Sequence, residues 1–291
     1  MKIYLDGKLV ENEDAKISVF DHGFLYGDGV FEGIRAYNGR IFRLKEHLDR
    51  LLASAKAINL TIPMQQKDIE KAVIKTLLAN KLSDAYIRLI ITRGCGDLGL
   101  DPRNCKKPPT VVVIADNISM YSEELYENGM EVVTVSTRRI RQDSLSPNVK
   151  SLNYLNNILA KMEAIRSGVM EAIMLNSEGY VVECTGDNIF LVKNEILYTP
   201  SGAEGALVGI TRDAIMELAK NKLKIQVKEG RLSTYDVYTA DECFLTGTAA
   251  EVIPVIAADS RQIADGKPGK ITLKLIKEFK NLTRLTGTPI K

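Results

Sequence analysis

The chain is poor in the residues on which several common chemistries depend. Histidine occurs only at His22 and His47, which disfavours a histidine-rich metal site or a Ser-His catalytic pair. Any general base is therefore expected to be a different residue type. Cys95, Cys105, Cys184 and Cys243 form no C-x-x-C pair, and a chain of 291 residues buries enough surface to fold without disulfides. They read as free thiols, with no thiol switch expected. Excess charge is missing too: 39 Lys and Arg against 37 Asp and Glu leave +2, spread without long runs of one sign, which argues against a nucleic-acid or acidic-surface partner. No apolar run of about 18 residues is available to span a membrane. Met1-Lys2-Ile3-Tyr4-Leu5-Asp6-Gly7 reaches a charge and a turn before a signal-peptide core can form. The expected address is the cytoplasm. Repeats, low-complexity tracts and Gly/Ser/Pro linkers are also lacking, so the disordered and fibrous classes are excluded and the length suggests about two domains.

What is present is a succession of short strand-like and helix-like segments. Lys2-Ile3-Tyr4-Leu5 and Lys8-Leu9-Val10 flank Asp6-Gly7, a hairpin signal. A strand over 30–36, the turn Asn38-Gly39 and a strand over 40–43 follow. Leu44, Leu48, Leu51, Leu52, Ala55 and Ile58 recur at helical spacing, as do Ile69, Val73, Ile74, Leu77 and Leu78. Strands resume over 85–91 and 110–114, and the irregular stretch 94–109 between them is too long for a plain connector, which makes it a candidate lid or binding loop. A second series starts at 131–135. It includes a helix with the apolar face Leu152, Leu155, Ile158, Leu159, Met162 and Ile165, then strands over 171–175, 180–184, 188–192 and 196–198. Helices over about 212–223 and 271–285 complete it. Because strands cluster and several adjoin by hairpin turns, the expected fold class is α+β with mixed or antiparallel sheets.

Three features could serve one site. Lys150 sits at the junction between the turn-like Ser144-Leu145-Ser146-Pro147-Asn148 and a helix beginning near Leu152, where its amine can be held rigidly toward a cleft. Glu183 ends the alternating strand Tyr180-Val181-Val182-Glu183-Cys184, placed to meet a ring nitrogen. Gly209-Ile210-Thr211 precedes a helix, with Thr211 as its expected N-cap, and Thr246-Gly247-Thr248-Ala249-Ala250 follows an apolar strand. These are two possible backbone cradles for an anion, with Arg50 as a cationic partner. A lysine, an acid and phosphate donors are the parts that pyridoxal phosphate chemistry needs.

In this order the motifs resemble the fold type IV pyridoxal phosphate enzymes, and among them the branched-chain amino acid aminotransferases. The resemblance rests on Tyr26-Gly27-Asp28-Gly29-Val30-Phe31-Glu32-Gly33-Ile34-Arg35, Glu46-His47-Leu48-Asp49-Arg50-Leu51, Tyr86-Ile87-Arg88 and Lys150-Ser151-Leu152-Asn153-Tyr154. It continues through Glu183-Cys184-Thr185-Gly186-Asp187-Asn188, Gly209-Ile210-Thr211-Arg212-Asp213 and Gly247-Thr248-Ala249-Ala250-Glu251, nearly the entire chain. It implies a small N-terminal α/β domain over 1–118, a connection over 119–124 and a larger C-terminal domain over 125–291, with pyridoxal 5′-phosphate at the domain interface. Lys150 would join the cofactor and move the proton at substrate Cα, Tyr154 would bond the ring hydroxyl and Glu183 the ring nitrogen. Arg50, Ile210, Thr211 and Thr248 would hold the phosphate. Tyr86 and the backbone of Thr248 and Ala249 would take the substrate α-carboxylate, and Arg88 the side-chain carboxylate of glutamate. Tyr26, Phe31, Gly33 and Tyr121 would line the side-chain pocket, and Leu98 and Leu100 would reach a neighbouring subunit's site, implying at least a homodimer.

The implied reaction moves the amino group of L-leucine, L-isoleucine or L-valine to 2-oxoglutarate, giving L-glutamate. The pattern departs from some relatives at Ile118, where a bulky aromatic can stand, and at Thr185 and Asp187, which bears on side-chain preference. His22 and His47 are expected to pack or bond loops. The rival readings are a D-amino acid transaminase, an aminodeoxychorismate lyase on the same scaffold and a non-catalytic cofactor binder. D-amino acid transaminases bind the carboxylate through an Arg and a His, and the 94–109 loop has Arg103 but no His.

Overall fold

The computed structural model describes residues 1–118 and 120–291; residue 119, part of the expected interdomain connection, lies outside the described residues. The strands of the N-terminal part are β1 (Lys2–Leu5), β2 (Lys8–Glu11), β3 (Gly29–Tyr37), β4 (Arg40–Ile41), β5 (Ala85–Thr92) and β6 (Val111–Asp116). They are followed by β7 (Met130–Thr134), β8 (Glu171–Leu175), β9 (Val181–Cys184), β10 (Asn188–Lys193), β11 (Ile196–Pro200) and β12 (Val227–Gly230). β13 (Glu242–Gly247), β14 (Glu251–Ala258), β15 (Arg261–Gln262) and β16 (Thr288–Pro289) close the series. The helices are α1 (His22–Tyr26), α2 (Leu44–Ala57), α3 (Gln66–Ala79), α4 (Glu123–Asn128), α5 (Leu155–Arg166), α6 (Ile210–Glu217), α7 (Thr234–Tyr238) and α8 (Lys270–Leu285).

The chain divides into two compact units, the first comprising Met1–Ile118, Val149–Asn153 and Thr283–Lys291, the second 120–148 and Tyr154–Leu282. In the first, an antiparallel seven-stranded sheet runs β16-β4-β3-β5-β6-β1-β2. Its β1–β2 hairpin closes through Asp6 (φ 45°) and Gly7 (φ 92°), the two left-handed residues that such a turn requires. α2 buries Leu44, Leu48, Leu51 and Ala55, and α3 buries Ile69, Val73 and Leu77, so each helix turns one stripe to the core. Two segments from beyond residue 125 belong to this unit because their backbones bond to its sheet. Phe31 N–H donates to the Lys150 carbonyl and Leu152 N–H to the Gly29 carbonyl, each at 3.0 Å, and β16 pairs with β4.

The second unit holds a mixed nine-stranded sheet in the order β12-β11-β10-β13-β14-β7-β8-β9, with β15 on β14. The β11–β12, β14–β7 and β7–β8 pairs are parallel. One expectation reverses here. The helix expected from near Leu152 starts at Leu155, and its apolar stripe, Leu155, Ile158, Leu159, Met162 and Ile165, is exposed. Its buried side is Asn157, Ala160 and Ala164, packed against β8 beside Ala172 and Met174, because small side chains allow the closest approach to the sheet.

Candidate active site

Within the first unit, β3 sorts the site by alternation, since successive side chains leave opposite faces of a strand. Phe31 and Gly33 point to one face, where Tyr86 and Arg88 arrive from the paired strand β5, with Gly33 directly opposite Arg88. The Phe31 ring has the Lys150 Nζ 4.6 Å from its centroid and the Arg88 guanidinium 4.7 Å away. Arg88 Nη2 donates to the Tyr86 hydroxyl at 2.9 Å. A Cβ added at Gly33 would lie 2.3 Å from that hydroxyl, so only glycine leaves it room. Five residues expected at the site, Phe31, Gly33, Tyr86, Arg88 and Lys150, therefore form one cluster.

Glu32 points the other way, toward α2, and is fully buried. Its carboxylate accepts from Arg50 Nε at 2.7 Å and Arg50 Nη2 at 2.8 Å, a bidentate pair, and meets His47 Nδ1 at 2.7 Å. Burial pushes the Glu32 pKa up, but Arg50 and His47 outweigh it and leave it at about 2. Burial pushes the His47 pKa down, against the pull of Glu32. The same helix supplies Ser54, whose hydroxyl accepts from Lys150 N–H at 3.1 Å. So α2 holds both Arg50 and the backbone of the lysine. His47 has the bonding role expected of it, but its partner Glu32 stood in a motif with no role attached. The available signal was the i, i+3 spacing of His47 and Arg50 on one helix face.

In the second unit, Glu183 is buried and ion-paired with Arg139 at 2.8 Å, and it also accepts from Leu207 N–H at 2.9 Å and Asn188 Nδ2 at 3.2 Å. Asn188 donates in addition to the Leu207 carbonyl, and its Oδ1 packs so close to Gly209 that a Cβ there would lie 2.0 Å away. Asn188 thus ties Glu183 to the start of α6. That start corrects one expectation: the N-cap is Gly209 (φ −77°, ψ 136°), not Thr211, which is the second helical residue. Gly209 has no side chain to satisfy the first backbone N–H groups, so they stay oriented toward the helix N-terminus with its dipole. Thr248 and Ala249 form the half-buried turn between β13 and β14. Arg139 carried no local sequence signal, since it reaches Glu183 from a distant segment.

The remaining expected residues belong to one unit or the other. Tyr154 is half-buried just before α5. Tyr121 is buried, with its hydroxyl 3.5 Å from Asp187, and burial pushes its pKa far up. Tyr26 is partly exposed and accepts from Gly99 N–H at 2.9 Å, which pins the 94–109 loop to α1. Leu98 and Leu100 on that loop are 72% and 82% exposed. No helix among the described residues is long and apolar enough to cross a membrane.

Residues 29–258 match the model of the family described as amino-transferase class IV. A Methanocaldococcus jannaschii protein named "Putative branched-chain-amino-acid aminotransferase" is 53% identical over 290 residues, covering 100% of this chain and 99% of the relative. The D-alanine aminotransferase of Listeria monocytogenes serotype 1/2a is 36% identical over 294 residues, covering 99% and 98%. Among solved structures, the branched-chain amino acid aminotransferase of Thermobaculum terrenum in its PLP-form superposes with a TM-score of 0.89 at 30% identity. The match covers 100% of this chain and 98% of that one.

Proposed function

Because the chain belongs to the class IV aminotransferases, fold type IV enzymes that use pyridoxal 5′-phosphate, we propose that it is a branched-chain amino acid aminotransferase. It moves the amino group of L-leucine, L-isoleucine or L-valine to 2-oxoglutarate, releasing L-glutamate. The donor set fits the cofactor: an amine at Lys150, a buried carboxylate at Glu183 for a ring N–H, and anion donors at Arg50 and the uncapped start of α6. When bound, that group supplies an electron sink for the pair released when substrate Cα loses its proton.

Lys150 carries the cofactor and moves the proton at substrate Cα, and Tyr154 bonds the ring hydroxyl. Glu183, oriented by Arg139 and Asn188, holds the proton on the ring nitrogen. Arg50, held by Glu32, binds the phosphate with Ile210, Thr211 and Thr248. Tyr86 and the backbone N–H groups of Thr248 and Ala249 take the α-carboxylate. Tyr26, Phe31, Gly33 and Tyr121 line the apolar side-chain pocket.

The observation that carries the substrate reading is the Phe31 ring with Lys150 on it and the Arg88–Tyr86 pair beside it. An aromatic ring beside the lysine accepts an aliphatic side chain, while the guanidinium over that ring accepts the second carboxylate of glutamate, so one pocket serves both halves of the reaction. A homodimer is supported by Leu98 and Leu100 on the 94–109 loop and, separately, by the exposed apolar stripe along α5, since an exposed apolar stripe usually marks an interface.

The test is a half-reaction on the purified holoenzyme, with L-leucine or D-alanine added and the visible cofactor band followed. L-Leucine is expected to bleach the band. Bleaching by D-alanine alone, the substrate in the name of the Listeria relative, would overturn the branched-chain reading.

A further inference from the structure

Asp187 lies in the tight connection between β9 and β10, buried, one residue before the Asn188–Thr246 pair, which places it beside Gly247. Its Oδ2 is 3.5 Å from the Tyr121 hydroxyl. Its Oδ1 packs on the Gly247 backbone so closely that a Cβ at Gly247 would lie 1.9 Å away. The backbone cannot carry a side chain there, and the carboxyl fills the space a side chain would occupy. We propose that Asp187 is a positioning residue that clamps Gly247 against Tyr121 and thereby sets how tightly the turn 247–249 holds an anionic substrate carboxylate. The second half of this statement rests on the proposed use of the Thr248 and Ala249 backbone for the α-carboxylate; the clamp itself does not.

The surroundings give the clamp a charge dependence. The ionisable groups facing Asp187 are Glu171 on β8, Lys161 on α5, Glu183 and Cys184 on β9, and Tyr121. Lys161 is paired with Glu171 at 3.2 Å, and Glu171 is further engaged by Thr185 through its backbone N–H at 2.9 Å and its hydroxyl at 2.5 Å. Lys161, the cation that acts on Asp187, is thus already paired with the neighbouring acid. Burial first, then the Glu171 charge, push the Asp187 pKa up to about 7. A protonated Asp187 leaves the turn free to take an anion, whereas an ionised one repels a carboxylate bound there.

The experiment uses the holoenzyme and its Asp187→Asn and Asp187→Ala variants, with two readouts. Hydrogen exchange of the peptide spanning residues 245–250 reports the clamp without any substrate. Protection is expected to fall in Asp187→Ala and to be largely kept in Asp187→Asn; unchanged protection in Asp187→Ala overturns the proposal. The inhibition constant of 4-methylpentanoate, a carboxylate with no amine to titrate, is then measured from pH 6 to pH 9. The ratio of the wild-type constant to that of Asp187→Asn is expected to rise about tenfold across this range as Asp187 ionises. A ratio that stays flat overturns the coupling to carboxylate binding. If the exchange result holds but 4-methylpentanoate binds neither protein at any pH, the branched-chain reading fails and the clamp stands.

Discussion

Replacing Glu32 and His47 together by glutamine removes the carboxylate charge and the imidazole that face Arg50, while keeping hydrogen-bonding capacity and near-native volume. Glu32 is fully buried, and its pKa falls from 4.5 to about 2 because Arg50 and His47 outweigh burial. A shift of that size corresponds to about 3 kcal/mol of stability at neutral pH, within reach of the roughly 3–5 kcal/mol lost when one partner of a buried pair is removed. The double variant is therefore expected to be about 3 kcal/mol less stable than the wild type at pH 7. The pH dependence has a definite sign. Glu32 has a folded pKa below its unfolded one, so its contribution is complete above pH 4.5 and declines as pH falls toward 2. Burial holds the His47 pKa below its ordinary value, so the wild type loses further stability as pH falls below 6.5. Both effects act in the same direction and neither exists in the double variant. The stability gap is expected to shrink by about 2 kcal/mol or more between pH 7 and pH 3. Urea unfolding at a series of pH values measures it. A gap that stays constant across the range would refute the assignment of this stability to the Glu32 carboxylate and its partners.

Lys150→Ala is expected to abolish turnover and the visible cofactor band; activity that survives would remove the lysine from its role. Gly33→Ala puts a methyl 2.3 Å from the Tyr86 hydroxyl and should lower kcat/KM for L-leucine roughly tenfold or more by displacing Tyr86, while wild-type kinetics would show that the cluster tolerates the shift. Arg88→Leu is expected to raise KM for 2-oxoglutarate at least roughly tenfold, with little change for L-leucine; equal changes for both would deny Arg88 its selectivity. Glutamates at Ile158 and Ile165 should shift sedimentation toward the monomer if the α5 stripe is an interface, and an unchanged sedimentation coefficient would exclude that face.

Much of the molecule was legible from local rules. Asp6-Gly7 and Asn38-Gly39 marked hairpins because few residues accept positive φ, and the apolar stripes of α2 and α3 marked helices because burial repeats with the helical period. Lys150, Glu183 and Arg50 stood out as candidates because residue type and motif order match the needs of one cofactor. Other features could not be read this way. Periodicity shows that α5 has an apolar stripe but not which face meets the sheet, and here the small residues do. Residue type names Thr211 as a good cap, but the backbone dihedrals of Gly209 decide where α6 begins. Arg139 meets Glu183, Glu32 meets Arg50, and Asp187 meets Gly247 only because strand register and helix packing bring distant segments together. Sequence alone determined which groups this chain can offer to a reaction. Tertiary structure decided which of them are held still, because a side chain is fixed by neighbours that the order of residues does not disclose.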